Sequence, residues 1–165
     1  MQTSWCTFGV ADGLYGVELP RVDEVLRPQP LTRVPLAPAA VAGLLNLRGR
    51  IVPAVDLRVL FRVPPRGSGG GMVAVRGPDG PVALLVDAIG DVRHAPESAG
   101  ADRARAAAND PLFSHAVALP ERLLVVLDLD HVLDAAFARP DSVPHEAVPS
   151  RSAGKPASRQ TGESA

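Results

Sequence analysis

The amino-acid sequence predicts an all-β chain built from small barrels. Three observations carry that prediction: short runs of alternating apolar residues, turn residues between them, and few stretches with helical spacing. Residues 4–10, "SWCTFGV", put Cys6, Phe8 and Val10 on one face, as a half-buried strand does. "ADG" then makes a tight turn, because Asp and Gly tolerate positive φ. Tyr15, Val17 and Leu19 continue the alternation in a second strand that Pro20 stops. In "RVDEVL" the apolar positions Val22, Val25 and Leu26 fall at i, i+3 and i+4, the spacing of one or two helical turns.

The next segment, "TRVPLAPAAVAGLLNLRG", is punctuated by proline, with a helical patch expected over residues 39–45 and turns at Gly43 and Gly49. Ile51, Pro53, Val55 and Leu57 line one face of a following strand; Pro53 cannot donate to a ladder, so the strand needs an edge, a bulge or a crossing point there. Residues 63–71, "VPPRGSGGG", read as a flexible loop dividing the chain into halves. "MVAVRGPDGPVALLVDAI" is a hairpin turned by Gly77-Pro78-Asp79-Gly80, and residues 82–89 are apolar on both faces. That pattern fits burial between two barrels or contact with a partner. The alanine-rich residues 95–111 read as loop with some helix, "SHAVALPERLLVVLDLD" as strand–turn–strand, and "LDHVLDAAF" as a terminal helix. From Pro140 onward the polar, Pro/Ser-rich composition predicts a disordered tail over 140–165.

Composition narrows the chemistry. A length of 165 residues suits one domain or two small subdomains sharing a core. Net charge is −1, so the whole molecule is no obvious polyanion binder. Cys6 is the sole cysteine, which excludes an intramolecular disulfide and a cysteine-cluster metal site; its place in an apolar strand predicts a buried, inert thiol. The N-terminus lacks the charged and apolar stretches of a signal peptide, and no apolar run reaches bilayer length, so a soluble, cytoplasmic protein is expected. His94, His115, His131 and His145 lack metal-ligand spacing. Asp128 and Asp130 flank a strand-to-helix junction, where Asp130 is expected to cap the helix rather than do acid–base work. "GSGGG" lacks the Lys-Ser/Thr of a phosphate loop, and no nucleophile elbow occurs. Neither an enzyme nor a cofactor or metal site is supported.

Arg48, Arg50, Arg58, Arg62 and Arg66 stand against Asp56 alone, a locally basic stretch that makes a nucleic-acid-binding barrel the competing class. Such barrels stack bases on aromatic platforms, and this chain is only 4% aromatic, with Phe61 the one aromatic near those arginines. A solvated rim is the simpler reading.

In chain order the sequence also carries Phe8, Tyr15-Gly16-Val17, Val22-Asp23-Glu24-Val25, Thr32-Arg33-Val34-Pro35 and "GLLNLRGRIVPAVDLR" from Gly43 to Arg58. "LLVDAIGDV" (84–92) and "RLLVVLDLDHVL" (122–133) follow. This succession, over about residues 4–138, resembles the CheW-like domain, the coupling module of bacterial chemotaxis arrays. The resemblance implies two intertwined five-stranded SH3-like barrels sharing an apolar core. A CheW-like domain is then expected over 1–139, with a first barrel over about 1–62, a second over about 72–128 and a terminal helix to 139.

It further implies a scaffold that binds the regulatory domain of a CheA-type histidine kinase and the cytoplasmic tip of methyl-accepting chemoreceptors, with no nucleic acid and no direct membrane contact. Such a protein is recruited to membrane-associated receptor arrays. Glu24 and Arg48 are expected to pair in the receptor-facing region, with Val22, Gly43, Asn46 and Gly49 nearby. Ile89 and Val92 map to the second-barrel side of the receptor groove. An arginine fixed by a carboxylate keeps further donors for a partner, and a small Gly43 is expected to let a partner helix approach. The same module in another chemosensory pathway, for motility or development, fits equally. His115 departs from the pattern, which has glycine there.

Overall fold

A computed structural model of the chain describes residues 2–65, 70–96 and 110–138. The alanine-rich 99–109 segment and the expected disordered tail 140–165 lie outside the described residues. The elements run β1 (Gln2–Val10), β2 (Gly13–Glu18), a 3₁₀ turn (Leu19–Arg21), β3 (Val22–Leu26), β4 (Val41–Leu47), β5 (Arg50–Asp56) and α1 (Leu57–Leu60). After these come β6 (Gly71–Gly77), β7 (Gly80–Val86), β8 (Ala88–Pro96), β9 (Phe113–Ala118), β10 (Leu123–Leu127) and the terminal helix α2 (Leu129–Phe137).

The strands form two five-stranded sheets, ordered β8-β1-β2-β10-β9 and β3-β6-β7-β5-β4. Each is an SH3-like curl that stays open between its edge strands, as the all-β expectation held. The division at residues 63–71 does not hold, because the sheets exchange strands across it. The first sheet takes β1 and β2 from the N-terminal half and β8, β9 and β10 from the C-terminal half; the second takes β3 through β7. The parallel pairs that join the parts, Val126 on Gly16 and Val55 on Leu84, are non-local.

Registers show the two sheets to be copies of one plan. Hairpin β1–β2 matches β6–β7, parallel β10 on β2 matches β5 on β7, and β9 and β8 match β4 and β3. Even the bulges coincide. The offset between Cys6 and Phe8 opposite β8 is that between Val73 and Val75 opposite β3. The offset between Phe113 and His115 opposite β10 is that between Val41 and Gly43 opposite β5. Asp56 caps α1 by accepting from the Arg58 N–H at 2.9 Å, and Asp128 caps α2 by accepting from the His131 N–H at 3.1 Å. The expected cap Asp130 instead lies two residues further along, inside the first turn, and accepts from Arg21 at 2.8 Å, a hydrogen bond that holds its carboxyl below the usual range.

Two predicted helical patches are strands. Val22–Leu26 pairs with β6 as edge strand β3, and residues 41–47 pair with β5 as β4. A window of five to seven residues cannot separate i, i+3, i+4 spacing from alternation, and the partner strand decides.

Three cores result. Phe8, Val10 and Val17 of the first sheet meet Val55, Val73, Val75, Leu84 and both helices in a shared core. Inside the first curl lie Trp5, Val117, Leu124 and Val126; inside the second lie Leu45, Val52, Ala54, Met72 and Ala83. β7 therefore buries Val82, Leu84 and Val86 on one face and Ala83 on the other, and its two-faced apolarity belongs to the interior. At about 1.5–3 kcal/mol for each large buried side chain, Phe8, Leu57 and Leu84 hold the sheets in one cooperative unit. Cys6 sits in the shared core, where burial pushes its thiol pKa up, as an inert thiol requires.

Candidate functional site

The β4–β5 turn is built from Arg48 and Gly49, with φ of 52° and 81°. Two central residues at positive φ suit the twist of a hairpin, but the first is normally Asn, Asp or Gly. Arg48 holds a left-handed conformation that disfavours an L side chain by roughly 1–2 kcal/mol. Asn46 supports the turn by accepting from the Gly49 N–H at 2.8 Å. From this position the Arg48 guanidinium donates to Glu24 at 3.0 Å. Glu24 is on β3 and Arg48 beside β4, the two outer strands of one sheet, so the pair spans the open seam of the curl. The glutamate side chain is 23% exposed and the arginine 79%, so Arg48 faces outward with donors to spare.

The other sheet bridges its seam with reversed polarity. Arg93 on β8 pairs with Glu121 in the β9–β10 turn at 2.8 Å. No sequence reasoning anticipated that pair, because its partners meet only once β8 and β9 become edges of one sheet.

The expected site residues divide between these edges. Glu24, Asn46, Arg48 and Gly49 form one hydrogen-bonded cluster, with Val22 half-buried at the start of β3. Ile89 and Val92 are exposed on β8, outside that cluster. The repeat makes Ile89 the counterpart of Val22, and Val92 that of exposed Val25, which the helical reading had concealed. Ile89 lies where a side chain on Gly71 would meet it at 2.6 Å, so the β8 edge abuts the start of β6 beside β3.

Gly43 has a role other than the one expected. A Cβ there would fall 2.7 Å from the Thr32 carbonyl oxygen, and Thr32 exchanges two 2.8 Å backbone hydrogen bonds with Leu44. The close approach is made by this chain's own 31–33 segment, not by a partner helix. Gly43→Val is therefore expected to displace that segment and destabilise the fold by about 1–3 kcal/mol, read as a lower midpoint in urea unfolding.

His115 stands where the second sheet has Gly43. Its buried ring packs edge-on to Trp5 with centroids 6.2 Å apart and bonds Ser114 at 3.1 Å, filling the first curl. The basic stretch does not converge: Arg48 is paired with Glu24, half-buried Arg58 is paired with Asp87, and Arg66 lies outside the described residues. Among the described residues no group of His, Cys, Asp and Glu is placed to hold a metal ion, and no helix is long and apolar enough to cross a membrane.

Comparison with known proteins agrees with this geometry. A chemotaxis protein CheW of Klebsiella aerogenes is 30% identical over 139 residues, covering 78% of this chain and 80% of that protein. One of Bacillus subtilis is 28% identical over 137 residues, covering 81% and 87%. Against one of Treponema pallidum the identity is 34% over 92 residues, and the chain spans about half of that relative's length, 54%. The crystal structure of scaffolding protein TtCheW from Thermoanaerobacter tengcongensis superposes with a TM-score of 0.75 at 24% identity, over 84% of this chain and 97% of that one, a likeness of fold. The model of the CheW-like domain matches residues 4–137, and the chain belongs to that family.

Proposed function

We propose that the chain is a non-enzymatic adaptor of chemotaxis signalling, coupling a CheA-type histidine kinase to the cytoplasmic tips of methyl-accepting chemoreceptors. It acts in the cytoplasm, recruited to receptor arrays. The observation that carries the reading is the outward Arg48, held on a strained turn by Glu24 within the stretch that matches the CheW-like domain. Strain of this kind persists where a function needs the side chain in that place. Val22, Glu24, Asn46, Arg48 and Gly49 form one wall of the receptor groove, and Ile89 and Val92 the other; the abutment of β8 on β6 supports this pairing. Gly43 serves the groove indirectly, by letting Thr32 brace β4.

The direct experiment is a pull-down of a CheA regulatory domain and, separately, of a receptor tip with the purified chain. Binding of both is expected, unaffected by oligonucleotide. Absence of kinase binding at tens of micromolar sinks the kinase half. A steep salt dependence with affinity for oligonucleotides favours the nucleic-acid alternative instead.

A further inference from the structure

A bulge in β8 decides which way that strand's exposed side chains point. Opposite β1, Ile89 pairs with Phe8 and Val92 with Cys6, so Thr7 alone faces two residues of β8, Gly90 and Asp91. Side chains of a regular strand alternate between faces, which would send Ile89 and Val92, three positions apart, to opposite sides. The extra residue puts both on the side of their partners Phe8 and Cys6. Ile89 is 40% exposed there and Val92 44%, one apolar wall that exists only while the bulge does. Ile89 is also fixed from ahead, because it fills the space of a side chain on Gly71, whose Cβ would fall 2.6 Å from it.

The second sheet carries the same bulge in β3, where Val22 pairs with Val75 and Val25 with Val73, leaving Asp23 as the extra residue and Glu24 opposite Ala74. That bulge is held from outside: Asp23 accepts from the Arg76 guanidinium at 2.6 Å, and Glu24 from that of Arg48 at 3.0 Å. Ala74 has no polar side-chain atom to hold it from within. The first sheet inverts this arrangement. Gly90 brings no side chain for an outer clasp, and the clasp is internal. The Thr7 hydroxyl, on a residue only 1% exposed, donates to the Asp91 carbonyl at 2.6 Å. The approach requires glycine at position 90, since a Cβ there would fall 2.4 Å from Thr7 Oγ1 and 3.0 Å from the Thr7 carbonyl oxygen.

We infer that Thr7 and Gly90 are positioning residues of the receptor groove: the buried hydroxyl and the missing side chain together set the bulge that presents Ile89 and Val92 on one face. The inference rests on the receptor-binding reading given above. Thr7 is buried and meets no partner itself; it acts through β8. A buried hydroxyl stripped of its acceptor is costly, so the Thr7–Asp91 bond favours the bulged pairing over a regular one.

The chain has two isoleucines, Ile89 beside the bulge and Ile51 on β5 of the other sheet, so a δ1-methyl spectrum reports the wall with its own control. Thr7→Val keeps the shape of the side chain and removes the donor. In the full-length protein it is expected to move the Ile89 resonance and leave Ile51 in place. It is also expected to weaken binding of a chemoreceptor-tip fragment by roughly fivefold, the loss of one neutral hydrogen bond. Thr7→Ser retains the hydroxyl and is expected to return both readouts to those of the parent. Gly90→Ala reaches the same bulge from the other strand, should shift Ile89 and lower affinity with Thr7 intact, and carries the test if Thr7→Val does not fold. Affinities are read well below the unfolding midpoint, where a loss of global stability alone changes neither readout. Parent-like affinity in Thr7→Val, with or without a shift of Ile89, overturns the positioning role and leaves the adaptor reading intact; so does an equal loss in Thr7→Ser. A parent protein that binds no receptor tip overturns the adaptor reading, and the positioning role falls with it.

Discussion

Asp87→Ala is expected to destabilise the protein by about 3–5 kcal/mol, a large share of the roughly 5–15 kcal/mol that holds a domain folded. Asp87 sits between β7 and β8, where the chain passes from one sheet to the other. Its carboxylate takes the Arg58 guanidinium on one side, with the side chains 8% and 16% exposed, and accepts from the Ala11 N–H at 2.6 Å on the other. Its own N–H donates to the Gly9 carbonyl at 2.9 Å. One carboxylate thereby fastens the β1–β2 turn of the first sheet to α1 behind the second. Removing it leaves a largely buried guanidinium and a part-buried amide without their acceptor, and that desolvation penalty makes the loss large. Asp87→Asn keeps an oxygen for Ala11 while losing the charge, and should cost less. In the double variant with Arg58→Ala the stranded charge is gone, so the combined loss should fall short of the two single losses added. Urea unfolding reads all four proteins; a loss under about 1 kcal/mol for Asp87→Ala would return the pair to the class of surface ion pairs.

That joint shows where sequence reading stops. Arg58 looked like one member of a basic rim because its four arginine neighbours in sequence, Arg48, Arg50, Arg62 and Arg66, suggest a surface, while its partner is 29 residues away. The hairpins at "ADG" and "GPDG", the buried Cys6 and the two-faced β7 were legible, because each depends on turn chemistry or periodicity within a few residues. β3 and β4 were not, since short edge strands take their state from the strand beside them. Sheet membership was misread for the same reason: β2 meets β10 by a parallel pairing that no local pattern encodes. Of the site, the Glu24–Arg48 pair was anticipated only through the family resemblance, and its outward direction required the positive φ of Arg48. Gly43 was noticed, but its neighbour was assigned to a partner when Thr32 already occupied the space.

Arg48→Gly separates function from stability most sharply. Glycine accepts the φ of 52° at no steric penalty, so the substitution relieves roughly 1–2 kcal/mol of backbone strain. Against this it loses one exposed ion pair, which contributes about 0–1 kcal/mol. The expected result is a protein as stable as the parent or up to about 1 kcal/mol more so, with receptor-tip affinity reduced by at least about tenfold, as for the loss of an interface arginine. Arg48→Ala keeps the strain and should lose affinity equally without gaining stability. Unfolding of either variant would show that Arg48 holds the seam and does nothing more. The charge swap, Glu24→Arg with Arg48→Glu, decides the remaining ambiguity. It rebuilds an ion pair across the same seam but turns a carboxylate outward where the guanidinium stood. If the pair serves only to close the curl, the swap restores binding lost in the single variants. If Arg48 meets the receptor, the swapped protein folds normally and still fails to bind, because the partner presents acceptors to a group that can no longer donate.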